Sequence, residues 1–113
     1  MNIQIFGTTK SNDTKKAQRW FSERKIKFQF IDLREKSMSL GEFNNVRTAV
    51  GGYEKLIDEN CKDKELLALL HCLTDGAKEE KMFEYQILLR NPIVRNGKQA
   101  TVGYSPDVWK SWE

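Results

Sequence analysis

The stretch Ile3-Gln4-Ile5-Phe6-Gly7-Thr8-Thr9-Lys10-Ser11-Asn12-Asp13-Thr14-Lys15-Lys16 decides how the chain is read. Its first four residues are β-branched or aromatic at three positions, which favours a buried strand. The Gly/Thr/Ser/Asn/Asp-rich turn that follows opens an amphipathic segment carrying Ala17, Trp20 and Phe21 at helical spacing. Arg24 continues the i, i+3, i+4, i+7 series, with its stem along the edge of the apolar stripe. A strand that ends in a polar turn and opens a helix leaves unpaired N–H groups at that helix end. The helix dipole adds partial positive charge there. Ser11, Asn12, Asp13 and Thr14 are each chemically able to cap the helix, and Lys10, Lys15 and Lys16 add basic charge around it.

Outward from this turn, Phe28-Gln29-Phe30-Ile31-Asp32-Leu33 alternates apolar and polar residues and reads as a second strand. Strand, helix and strand within about thirty residues make a βαβ unit, with parallel strands and a right-handed crossover. Ser39-Leu40-Gly41-Glu42 is a capping box that opens a helix using Leu40, Phe43 and Val46, stopped by Gly51-Gly52. Tyr53 to Ile57 reads as one further helical turn. Lys64 to Leu73 is leucine-rich, Asp75-Gly76 reads as a chain turn, and Ala77 to Gln86 reads as a helix with Met82 and Phe83 inward. Asn96-Gly97 between two apolar runs predicts a hairpin with a type I′ turn. Ser105-Pro106-Asp107 predicts a short terminal helix whose Trp109 and Trp112 share one face.

The order β-α-β, several helices, then β-β-α predicts an α/β fold. It is a four-stranded mixed sheet of thioredoxin-like architecture, one domain over residues 1–113 with a helical insertion at about 39–86. The length suits one domain with a modest core, since 39% of the 113 residues are hydrophobic and 31% are charged. The net charge of +3 is too mild to argue for direct nucleic-acid binding. The longest apolar run, Leu66 to Leu73, is too short for a bilayer, and no membrane contact is expected. Met1-Asn2 leads straight into strand-like residues rather than a secretory signal. Cys61 and Cys72 therefore read as free, reduced thiols of a cytoplasmic protein. No metal and no cofactor are expected, and His71, inside the leucine-rich segment, reads as structural.

Four segments carry a more specific likeness: IQIFGTTKSNDTKKAQRWF (3–21), KFQFIDLREKSMSLGEF (27–43), AVGGYEKLID (49–58) and ILLRNPIVRNGKQATVGYSPDVW (87–109). In this order they resemble the arsenate reductase-like family (ArsC, Spx and YffB) over essentially the whole chain. The resemblance implies an arsenate reductase-type oxidoreductase, dependent on glutathione or glutaredoxin, or an Spx-like transcription regulator that binds the RNA polymerase α-subunit. It places the family's nucleophilic cysteine at Ser11, and the Spx branch's second cysteine at Thr14. It implies a cis Asn91–Pro92 bond near the turn. The anion-binding candidates are Lys10, Ser11, Asn12, Asp13, Thr14, Asn91 and Pro92. Gly52 falls where the Spx branch contacts the C-terminal domain of the polymerase α-subunit, and is the partner-binding candidate.

Cysteine to serine is a chemical change. A thiol, with an ordinary pKa of about 8.5, needs only a small push to ionise near neutrality. A helix N-terminus worth up to about 2 kcal/mol supplies roughly 1.5 pKa units. The same push leaves a serine hydroxyl un-ionised, so serine needs an adjacent general base. The two arginines that the family uses to hold its oxyanion are also missing. Asn91 stands before Pro92, and 58–60 contains none. Arg90, one residue out of register, is expected on the opposite face. The sequence thus points away from an enzyme and toward a binding or regulatory module, possible ligands being an oxyanion or a protein partner. The enzyme alternative would use Cys61 or Cys72 as a relocated thiol.

Overall fold

A computed structural model describes residues 1–112. The elements are β1 (Ile3–Gly7), α1 (Asn12–Glu23), β2 (Phe28–Asp32), α2 (Leu40–Val50), a 3-10 turn (Tyr53–Leu56) and α3 (Lys64–His71). Then follow α4 (Asp75–Glu84), a second 3-10 turn (Gln86–Leu88), β3 (Ile93–Asn96), β4 (Gln99–Val102) and α5 (Pro106–Lys110). The sheet order is β2-β1-β3-β4. β1 and β2 are parallel, with Ile5 opposite Phe30; β1 and β3 are antiparallel, with Ile5 opposite Val94.

Because successive strand residues point to opposite faces, this register sorts the core into two layers. Ile3, Ile5 and Val94 pack with Ala17, Trp20 and Phe21 of α1 and Trp109 of α5. Phe6, Ile31 and Ile93 face the other way, onto Phe43 and Val46 of α2, Leu67 and Leu70 of α3, and Met82 of α4. The sheet is therefore covered on both faces, as parallel pairing requires. Arg24 lies over the Trp20 ring at 4.0 Å, in keeping with a stem laid along the apolar stripe.

Both reciprocal bonds of the capping box at Ser39 and Glu42 are made. Gly51 ends α2 in the left-handed region at φ 90°. Its N–H donates to the Thr48 carbonyl and that of Gly52 to Arg47, which is the Schellman arrangement. Three local expectations change. Asp75-Gly76 is not a separate turn but the first turn of α4, behind Thr74 as N-cap. The hairpin loop is Gly97-Lys98, because Asn96 pairs with Gln99 across the strands. Only Gly97 of the two has positive φ, at 61°, which fits a type II′ turn and not I′. Finally, Ser105 precedes α5 without capping it through its side chain. Its Oγ instead donates to the carbonyl oxygens of Val102 and Gly103, at 3.4 Å each.

No described helix is long and apolar enough to cross a membrane.

Candidate functional site

In a sheet with parallel strands, ligands sit beyond the strands' C-terminal ends. At the C-terminal ends of β1 and β2 lies an open cavity of about 710 Å³. Four segments build it. The β1–α1 turn supplies Thr8, Lys10, Ser11 and Asp13, and the residues after β2 supply Leu33 and Arg34. The loop after the first 3-10 turn supplies Asp58, Asn60, Cys61 and Lys62. The segment leading into β3 supplies Gln86, Ile87, Arg90 and Asn91. Four cations and two carboxylates thus face one space.

Ser11 is the N-cap of α1. Its backbone is extended, at φ −76° and ψ 121°, and its Oγ accepts the Thr14 amide at 3.2 Å. Thr14 has a different role from any cap. Its side chain is fully buried and sits where a Cβ on Gly7 would meet Thr14 Oγ1 at 2.5 Å. Gly7 is required there by close approach, and the Thr14 hydroxyl is left without a hydrogen-bond partner. Of the sequence-derived candidates, Lys10, Ser11, Asp13 and Asn91 line the cavity, whereas Asn12, Thr14, Pro92 and Gly52 do not. Asn12 is the exposed first residue of α1, and Pro92 is buried behind a cis Asn91–Pro92 bond. The Asn91 Oδ1 is buried with no partner. Gly52 is half-buried beyond the end of α2, at φ 130°.

Two arginines alter the picture drawn from sequence. Arg90 was expected on the opposite face from the site, yet it lines the cavity. Strand alternation does not govern it, because β3 begins only at Ile93. Its backbone N–H donates to the Leu56 carbonyl at 2.8 Å, and its guanidinium rests against Gly103. Arg34 was not a candidate at all. It is exposed, and the Asp32 carboxylate accepts from its Nε and Nη2, while Nη2 also donates to Thr9 Oγ1. These hydrogen bonds hold the Asp32 carboxyl below its ordinary value. The available signal was positional: Arg34 is two residues past the end of a parallel strand, where functional side chains collect.

Gln86, a buried polar residue, closes the cavity's inner wall. Its Oε1 accepts the Met38 amide at 2.7 Å, and its Nε2 donates to the carbonyl oxygens of Met38 at 2.9 Å and Phe83 at 3.1 Å. One amide thereby satisfies both backbone groups of Met38, pinning the connection between β2 and α2.

Both cysteines are free; Cys61 is buried and lines the cavity, and Cys72 is exposed outside it. His71 was read as structural within the leucine-rich helix; it is exposed, with Nε2 2.7 Å from Glu59 Oε1, and is not a cavity residue. Among the described residues no group of three or more His, Cys, Asp and Glu could hold a metal ion.

The ArsC family matches residues 6–112. The chain belongs to the ArsC family. A relative in Oceanobacillus iheyensis, "Global transcriptional regulator Spx 2", is 29% identical over 109 residues, covering 95% of this chain and 80% of that protein. The arsenate reductase from Vibrio cholerae superposes with a TM-score of 0.79 at 23% identity, covering 98% of this chain and 97% of that one. A Bacteroides fragilis protein described as ArsC family related superposes at 0.85 with 17% identity, over 100% and 98% of the two chains. These structures share the thioredoxin-like fold and mixed sheet of this ArsC family member.

Proposed function

We propose that this ArsC family protein does not carry out thiol-dependent reduction and works by binding, as a regulatory or anion-holding module. The observation that carries the reading is Ser11. At the position where the resemblance puts the family's nucleophilic cysteine, the side chain is a hydroxyl already engaged in capping α1. No histidine lines the cavity to act as its base. A hydroxyl also cannot shuttle electrons. The cavity keeps the means to hold an anion: the N-terminus of a 12-residue helix with Lys10, Arg34, Lys62 and Arg90 around it. Titrating arsenate into labelled protein, with glutathione and glutaredoxin present as the electron source, tests both halves. Binding shifts the amides of Asn12, Asp13 and Thr14, and the arsenate is recovered unreduced. Arsenite that forms with the intact protein and not with Ser11→Ala overturns the reading.

A second reading, transcription regulation through a protein partner, is favoured by the 29% identity to a global transcriptional regulator along 95% of this chain. The family resemblance names the C-terminal domain of the RNA polymerase α-subunit as that partner and Gly52 as part of the contact. At φ 130° any side chain at Gly52 strains the backbone, so the exposed neighbour Glu54 is the better probe. A pull-down with that domain, weakened by Glu54→Lys, supports this reading. No capture by the intact protein dismisses it.

A further inference from the structure

A second concavity lies away from the Ser11 turn and shares no residue with it. It is a groove of about 610 Å³ between α2 and α4, floored by Leu40, Phe43 and Phe83 and opening past Gly76. The Phe43 and Phe83 rings meet at 5.8 Å between centroids. Phe43 is spent in the core, but Phe83 is only partly covered and Leu40 is 57% exposed. Leu40 immediately follows the Ser39 cap, so the capping box fixes it in the open. At Gly76 nothing lies within 4 Å of where a Cβ would be, which leaves that end of the groove unobstructed.

The rim is acidic although the chain as a whole is net +3. Glu79, Glu80 and Glu84 line it, against Arg47 as the one lining cation. Arg47 is already committed to Glu79 at 2.9 Å, and Glu84 has Lys81 at 3.4 Å. Glu80 has no ion-pair partner among the described residues and faces solvent. An apolar floor asks for an apolar anchor, and the carboxylate rim asks for flanking cations that steer and orient it. We infer that the α2–α4 groove docks a basic peptide segment of another protein, one whose bulky apolar anchor enters between Leu40 and Phe83 while its Lys or Arg side chains meet Glu80 and Glu84. This goes beyond the reading of the Ser11 cavity and does not depend on it.

The probe is a peptide of sequence Lys-Lys-Leu-Phe-Lys-Lys, with Glu-Glu-Leu-Phe-Glu-Glu as its charge-reversed control, titrated into full-length ¹⁵N-labelled protein. The expected result is amide shifts confined to the α2–α4 groove for the basic peptide and none for the acidic one. Glu80→Lys with Glu84→Lys should weaken binding at least tenfold, and Leu40→Ser should weaken it without the salt dependence changing. All three positions are exposed, so these variants keep the fold, which the dispersion of their own spectra verifies. Four results would overturn the inference. One is the absence of groove shifts at millimolar peptide, and another is shifts centred on the Ser11 turn. Equal binding of the two peptides is the third. The last is groove shifts that grow with protein concentration alone, which would make a second copy the occupant.

Discussion

The Ser11 Oγ accepts the Thr14 amide hydrogen at 3.2 Å, while the hydroxyl of Thr14 itself is buried with no partner. Two residues that the family resemblance pairs as redox positions therefore stand in a helix-capping relationship. One closes the open end of α1, and the other fills the space left by the missing side chain of Gly7.

Removing the cap should cost stability in proportion to one N-cap bond. Ser11→Ala is expected to destabilise the fold by about 1 kcal/mol, and Ser11→Asp to retain most of it. Urea unfolding followed by tryptophan fluorescence measures both. If Ser11→Ala is neutral, the hydroxyl has another role.

Arg34 is predicted to be anchored, not free. Asp32 should titrate below its ordinary value of 3.8, since Arg34 hydrogen bonds favour the ionised carboxylate. The sign follows: whatever Asp32 contributes to stability is present above pH 3.8 and is lost as pH falls through its lower folded value. Carboxyl-carbon NMR titration of the intact protein and of Arg34→Gln, in which the midpoint returns toward 3.8, checks it.

Gln86→Leu should destabilise by about 3 kcal/mol, because it strands the buried Met38 amide and carbonyl together. The Met38 amide should lose its protection from hydrogen exchange before the sheet does. Retention of that protection would show that Gln86 is replaceable there.

The Tyr53 hydroxyl donates to Asp75 Oδ1 at 2.6 Å, which pushes the phenol up to about 12. A raised folded value means the contribution is complete below pH 10 and is lost as pH rises through about 12. Tyr53→Phe should therefore flatten the alkaline limb of a stability profile between those values.

The βαβ unit, the Ser39 capping box, the two-faced sheet and the closing hairpin could all be read in the residues, because each is set by local chemistry or by alternation. The cap of α1 was legible only as one of Ser11, Asn12, Asp13 and Thr14, and it is Ser11 that fills the place. Arg34 and Arg90 were not, since their convergence on one cavity depends on chain packing between segments more than fifty residues apart. The strand rule also misplaced Arg90 by being applied before the strand begins. Gln86 gave no sign at all: a glutamine at the end of a helical pattern looks like surface until its partner, the Met38 backbone, is brought beneath it. The hairpin loop slipped by one residue because Asn-Gly suits a type I′ turn, whereas the pairing of Ile93 with Val102 sets the register here.

The most direct test of the central claim, that no electron transfer passes through Ser11, is NADPH consumption coupled to arsenate through glutathione and glutaredoxin. The intact protein should give a rate equal to the protein-free control, with no change on Ser11→Ala or Cys61→Ser. Consumption matched one-for-one by arsenite, and abolished by Ser11→Ala alone, would contradict it.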